Sequence, residues 1–173
     1  MYGMEIITTC SSRHFDLVKS FGAKYTFDYR DESAMSELRR VATKVSFVFD
    51  TIGNSETSAT ASKLITPGGG TLCTVRPGKA FTENVTVQTK VTDVLVWTAF
   101  LTDHAYKTFF WPASLGDHRL SAELFENLPK WLVDRKMSPN TTKVYGNGLK
   151  DVASGFQEYR DGKISGYKVV YRL

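Results

Sequence analysis

Short β-rich runs alternate with stretches of helical periodicity through the first 75 residues, and this alternation narrows the possible folds more than any other feature. Residues 5–10 read as a strand. Ser11 or Ser12 then opens a helix whose Phe15, Leu17, Val18 and Phe21 share helical spacing, and Gly22 closes it. Residues 24–29 read as a second strand, and Ala34, Met35, Leu38 and Val41 mark a second amphipathic helix. A buried-type strand at 45–50, a helix at 55–65, the turn Pro67-Gly68-Gly69-Gly70 and a strand at 71–75 complete the pattern. Strands and helices in this order imply an α/β fold with a parallel sheet and helices on both faces.

The pattern changes after Pro77. Two β-rich stretches are expected at 85–89 and 94–100, and an aromatic loop at 106–111. A helix over about 121–136 contains Pro129. The chain then reads strand (143–145), helix (Leu149, Val152, Phe156 and Tyr159) and strand (168–172). The natural division is residues 1–137 and 138–173. No internal repeat or low-complexity linker interrupts either part.

With 173 residues and 42% hydrophobic content, the chain can bury one full core. A net charge of +4 suits a nucleic-acid binder, but the basic residues are scattered. The pair Arg39-Arg40 sits among acids in a helical pattern, so no nucleic-acid face is expected. Cys10 and Cys73 are too few for a disulfide framework, and His14, His104 and His118 are too dispersed for zinc. No apolar run approaches the ~18 residues of a membrane span, and no signal-peptide pattern opens the chain. A cytoplasmic protein without metal or membrane contact is expected. The sequons at Asn84 and Asn140 are read as coincidental.

Several motifs together carry a resemblance. Residues 8–23 (TTCSSRHFDLVKSFGA) with 27–31 (FDYRD) look like the second strand, second helix and third strand of the medium-chain dehydrogenase/reductase nucleotide-binding domain. Residues 50–53 (DTIG), 67–72 (PGGGTL), and 162–166 (GKISG) with 168–173 (KVVYRL) resemble its fourth strand end, fifth strand entry and C-terminus. Each is weak alone, but in this order over nearly the whole chain they are specific. Residues 96–100 (VWTAF), 111–114 (WPAS) and 128–130 (LPK) resemble the fungal branch of stand-alone enoyl reductases that partner polyketide synthases.

The resemblance implies a truncated Rossmann-like sheet lacking its usual first strand, followed by a C-terminal strand-helix-strand. It places Ser11, Ser12 and Arg13 where the family reads the adenosine 2′-phosphate of NADPH, with Tyr29 beside them. Two hydroxyls and a guanidinium suit a dianion. A helix cap at Ser11/Ser12, a solvated Arg13 and a half-buried strand residue at Tyr29 remain open as alternatives. Thr51 and Gly53 fall under the cofactor's middle, and Thr74 and Val75 near the nicotinamide; Gly53 also reads simply as a turn glycine. Trp97, Phe100, Phe109, Phe110 and Trp111 border the family's acyl-substrate cleft, or else form core. No catalytic residue can be named.

No Gly-x-Gly-x-x-Gly occurs in the 173 residues. In the family that turn follows the first strand and binds the cofactor pyrophosphate. The preceding catalytic domain has no counterpart here either, so either no cofactor requirement or weak NADPH binding is expected. The family's central strand is also unmatched, leaving strand edges that must be covered. Direct pairing, insertion of a C-terminal strand, or a homodimer would provide that cover. The opening methionine and natural-looking end favour a self-contained chain. Two functions follow. One is a redox-inactive protein of polyketide biosynthesis that binds a hydrophobic substrate for a step such as cyclisation. The other is an NADPH-dependent enoyl reductase acting as a fragment or in an assembly.

Overall fold

The computed structural model describes residues 3–173. The chain packs as two compact units, one formed by residues 1–31 with 128–173 and the other by residues 32–127.

In the first unit, strand β1 (Ile7–Cys10) leads through a 3-10 turn (Ser12–His14) into helix α1 (Phe15–Ser20). Gly22, at φ +101°, reverses the chain at the helix end, as its lack of a Cβ allows. Strand β2 (Tyr25–Asp28) then pairs parallel with β1, with Cys10 opposite Asp28. Neither Ser11 nor His14 makes a side-chain cap bond, so the serine cap open from sequence does not form. The Ser12 N–H goes instead to Asp28 Oδ2 at 3.0 Å.

The second unit begins with helix α2 (Ala34–Val41), which buries Ala34 and Leu38. Strand β3 (Phe47–Asp50), helix α3 (Ser55–Ser62), strand β4 (Gly70–Thr74) and strand β5 (Thr89–Asp93) follow. Asn54 caps α3 reciprocally with Thr57: each side chain accepts from the other's backbone N–H. The three strands form a parallel sheet ordered β3-β4-β5, with Leu72 of β4 fully buried.

Three local expectations need correction here. The stretch 85–89 is a turn, because Thr86 bonds both Ser62 and Thr89 through its hydroxyl and N–H rather than a ladder. The third strand of this sheet therefore starts at Thr89. The stretch 94–100 ends in a 3-10 turn (Trp97–Phe100), where the Thr98 hydroxyl lies 2.8 Å from the Leu95 carbonyl and 2.5 Å from Asp117 Oδ2. The aromatic loop is a hairpin of β6 (His104–Tyr106) and β7 (Phe109–Trp111) turned at Lys107, φ +54°.

Helix α4 (Leu115–Val133) starts about two turns earlier than its apolar pattern suggests. Ser114 precedes it, accepting the Asp117 N–H at 3.1 Å. Beyond it, β8 (Thr142–Tyr145) pairs parallel with β9 (Lys168–Tyr171), and helix α5 (Val152–Arg160) connects them in the first unit. Gly155 makes room on α5 for the Tyr171 ring, which stacks on Tyr145 at 5.5 Å.

The ladders thus form separate sheets of two, three, two and two strands. The C-terminal strands β8 and β9 pair with each other. Strand β3 is not enclosed as expected, because Phe47 and Phe49 on one of its faces are exposed. Among the described residues, no helix is long and apolar enough to cross a membrane.

Candidate functional site

Three groups of side chains make up the candidate site, and the first two form where strands end. The first lies beyond β1 and β2. Ser11 is buried, and its Oγ accepts from Arg30 Nη2 at 2.7 Å. The same nitrogen reaches Tyr29 Oη at 3.3 Å, and the guanidinium lies 5.2 Å from the Tyr29 ring centre. Asp28 closes the group: its carboxylate accepts the Arg30 and Ser12 N–H groups. Those two bonds, Arg30's the larger, hold Asp28 below the usual carboxylate range. Ser11 and Tyr29 are brought together through Arg30, which sequence reasoning did not select. Ser12 contributes its backbone to Asp28. Arg13 is elsewhere: its Nη2 donates to Ser165 Oγ at 3.0 Å, and His14 Nε2 meets the same hydroxyl at 2.6 Å.

The second group lies at the C-terminal ends of β3 and β4, where Asp50 and Thr74 are paired in register. Asp50 is buried. Its Oδ1 accepts from Ile52 and Gly53 N–H at 3.0 and 2.9 Å, and its Oδ2 from the Thr57 and Ser58 hydroxyls at 2.9 and 2.8 Å. Burial pushes the Asp50 carboxyl up, but these four bonds outweigh it and hold it below the usual range. Gly53 adopts φ +65°, and a Cβ there would come within 2.6 Å of Arg76 Cγ. Arg76 Nε donates to the Gly53 carbonyl at 2.8 Å. Thr51 is exposed, Val75 half-buried and Thr74 fully buried, so Thr74 acts inward.

The third group is aromatic. Trp97 and Trp111 meet edge to face at 5.1 Å, His104 lies 5.1 Å from Trp97, and Phe109 stacks on Trp111 at 5.5 Å. Strand alternation puts Phe110 on the opposite face of the hairpin from Phe109 and Trp111. Phe110 and Phe100 are 62% and 74% exposed and make no ring contact with the group. The sequence-selected set is thus divided, and His104 joins it. Trp97 Nε1–H is buried with no acceptor.

A sequence model described as zinc-binding dehydrogenase matches residues 1–104. The chain belongs to the zinc-binding dehydrogenase family. It corresponds to the C-terminal half of the medium-chain dehydrogenase/reductase fold and spans about half the length of the curated relatives it matches. It is 30% identical over 175 residues to the trans-enoyl reductase ACTTS2 of Alternaria alternata, covering 99% of this chain and 48% of that protein. It is 32% identical over 178 residues to the trans-enoyl reductase mpsG of Macrophomina phaseolina, covering 98% and 48%. Among solved structures, CurK enoyl reductase superposes with a TM-score of 0.68 at 18% identity, over 97% of this chain and 47% of that one. The quinone oxidoreductase of Coxiella burnetii does so at 0.64 and 16%, over 99% and 45%. These likenesses establish the Rossmann-like nucleotide-binding part of the family fold.

Two groups that members of this family hold can be tested against these residues. Zinc does not fit: among the described residues no three His, Cys, Asp or Glu side chains come together as a metal site. Ser11, Tyr29 and Arg30 form one hydrogen-bonded group beyond the strand ends, with two hydroxyls against a guanidinium.

Proposed function

We propose that this chain serves polyketide biosynthesis by binding a hydrophobic, polyketide-type acyl substrate against Trp97, Phe109 and Trp111. On this reading the 173 residues do not by themselves carry hydride transfer. The supporting observation is the buried, unpaired Trp97 Nε1–H inside the aromatic group. Native buried donors are nearly always satisfied, and as the rings part a ketone or thioester carbonyl would reach this one while the acyl chain lies on the ring faces. A non-redox step such as cyclisation needs such a shaped apolar surface and a placed donor.

A second reading, an NADPH-dependent enoyl reductase completed in an assembly, is favoured by the Ser11–Tyr29–Arg30 group and by the relatives named trans-enoyl reductases. When bound, the nicotinamide would supply the hydride. The part of these residues would be to fix the adenosine phosphate, and no Gly-x-Gly-x-x-Gly is present to hold the pyrophosphate.

Titrating the chain with an unsaturated acyl-pantetheine thioester should quench tryptophan fluorescence. NADPH should bind with a Kd above ~100 µM, less than about 5.5 kcal/mol. With both present, NADPH absorbance should not decay. Absence of quenching would overturn the substrate reading, and low-micromolar NADPH binding with turnover would establish the reductase.

A further inference from the structure

The three histidines are held in different ways. His14 Nε2 meets Ser165 Oγ at 2.6 Å, and His118 Nδ1 meets the Ala99 carbonyl at 2.9 Å. His104 makes no such bond: among the described residues, neither of its ring nitrogens has a hydrogen-bond partner. Ring faces hold it instead. The hairpin register sets His104 directly opposite Trp111, with 5.9 Å between ring centres and a tilt of 32°. Trp97 lies 5.1 Å away on a tilt of 33°. Two indoles thus orient a half-buried imidazole without using either nitrogen.

The same group contains a second unmatched polar atom, the buried Trp97 Nε1–H. A neutral imidazole carries a lone pair that takes up a proton, and the indole N–H can only donate. Enolisation of a carbonyl compound needs these two parts, a base at the carbon and a donor at the oxygen. A carbon flanked by two carbonyls is acidic enough for an imidazole to serve as that base.

We infer that His104 is the general base of the aromatic surface, acting on the carbon between the two carbonyls of a β-keto acyl thioester. The inference rests on the substrate reading given above. The C–H bond breaks and its proton passes to the imidazole. The electron pair forms the enolate C=C, and a carbonyl π pair moves onto the oxygen, which accepts from Trp97 Nε1–H. In a ring closure the enolate carbon attacks a second carbonyl of the same chain, and the alkoxide so formed takes the proton back from the imidazolium. No oxidant or reductant enters the balance.

The test uses the full chain with 3-oxooctanoyl-pantetheine in deuterated buffer. Proton NMR follows deuterium entering the carbon between the carbonyls, and tryptophan fluorescence follows binding. The wild type should accelerate exchange about a hundredfold over buffer alone, the scale of a positioned general base. His104→Phe keeps a ring between the indoles, so it should still bind the thioester while exchange falls to the buffer rate. His104→Gln should lose the acceleration too, and His118→Gln should retain it. Quenching without acceleration in the wild type, or acceleration that survives both His104 variants, would overturn the assignment and leave the substrate reading standing. A wild type that shows no quenching would refute the substrate reading, and the assignment with it.

Discussion

Asp50→Ala should cost ~3 kcal/mol or more of folding stability, because it strips the acceptor from four donors at once. Two of these belong to the turn that leaves β3, and two to the first turns of α3. The substitution therefore loosens the strand end, Gly53 and the helix start together. Asp50→Asn keeps one acceptor oxygen and should fall between the two. Chemical denaturation measures both, and a loss under ~1 kcal/mol for the alanine variant would show that the network is dispensable. The native carboxyl is held below its unfolded value, near 3.9. Its contribution is therefore fully present above that value and lost as pH falls through the lower folded one. The alanine variant should show a flatter stability profile in acid than the wild type.

Trp97→Phe should weaken acyl-thioester binding about tenfold while leaving stability within ~1 kcal/mol of wild type. The phenyl ring keeps an aromatic partner for Trp111, and the smaller volume costs some packing. Against this, the variant removes a buried N–H that has no acceptor, which relieves a desolvation penalty of similar size. The two changes offset in folding but not in binding, where the N–H is the carbonyl's donor. Phe110→Ala should change neither property, since that ring points to the opposite face of the hairpin. If Trp97→Phe binds the thioester as well as wild type, the indole is packing only.

The first 75 residues were legible because strand ends, helix faces and turn glycines each leave a local mark. β1 to β4 and α1 to α3 all fall where periodicity and Gly22, Gly53 and the Gly68–Gly70 run put them. The region from 81 to 111 was less legible for a reason visible at Thr86 and Thr98. Hydroxyls that bond neighbouring backbone override β-propensity, and nothing in the local pattern announces which partner they find. The hairpin was hidden because Lys107 takes a left-handed conformation that favours glycine or asparagine.

At the site, Ser11 and Tyr29 could be selected from motif position. Arg30 follows Tyr29 directly and could have been selected by asking which cation follows a strand end. That Arg13 turns to Ser165, 152 residues away, is a tertiary fact no local signal carries. The same holds for His104, which joins the tryptophans only once the hairpin folds.

Among the described residues, β4 alone has a hydrogen-bonded neighbour on each side. Its amides must wait for one of two ladders to open before they meet solvent, whereas each of the other strands has a bare flank. In deuterated water, label should therefore enter Leu72 and Cys73 last, and the slow-exchanging core of the molecule should shrink to a single strand. Any binding partner that lies along β3 would show itself without being seen directly, by moving Phe47 to Asp50 from the fast class into the slow one.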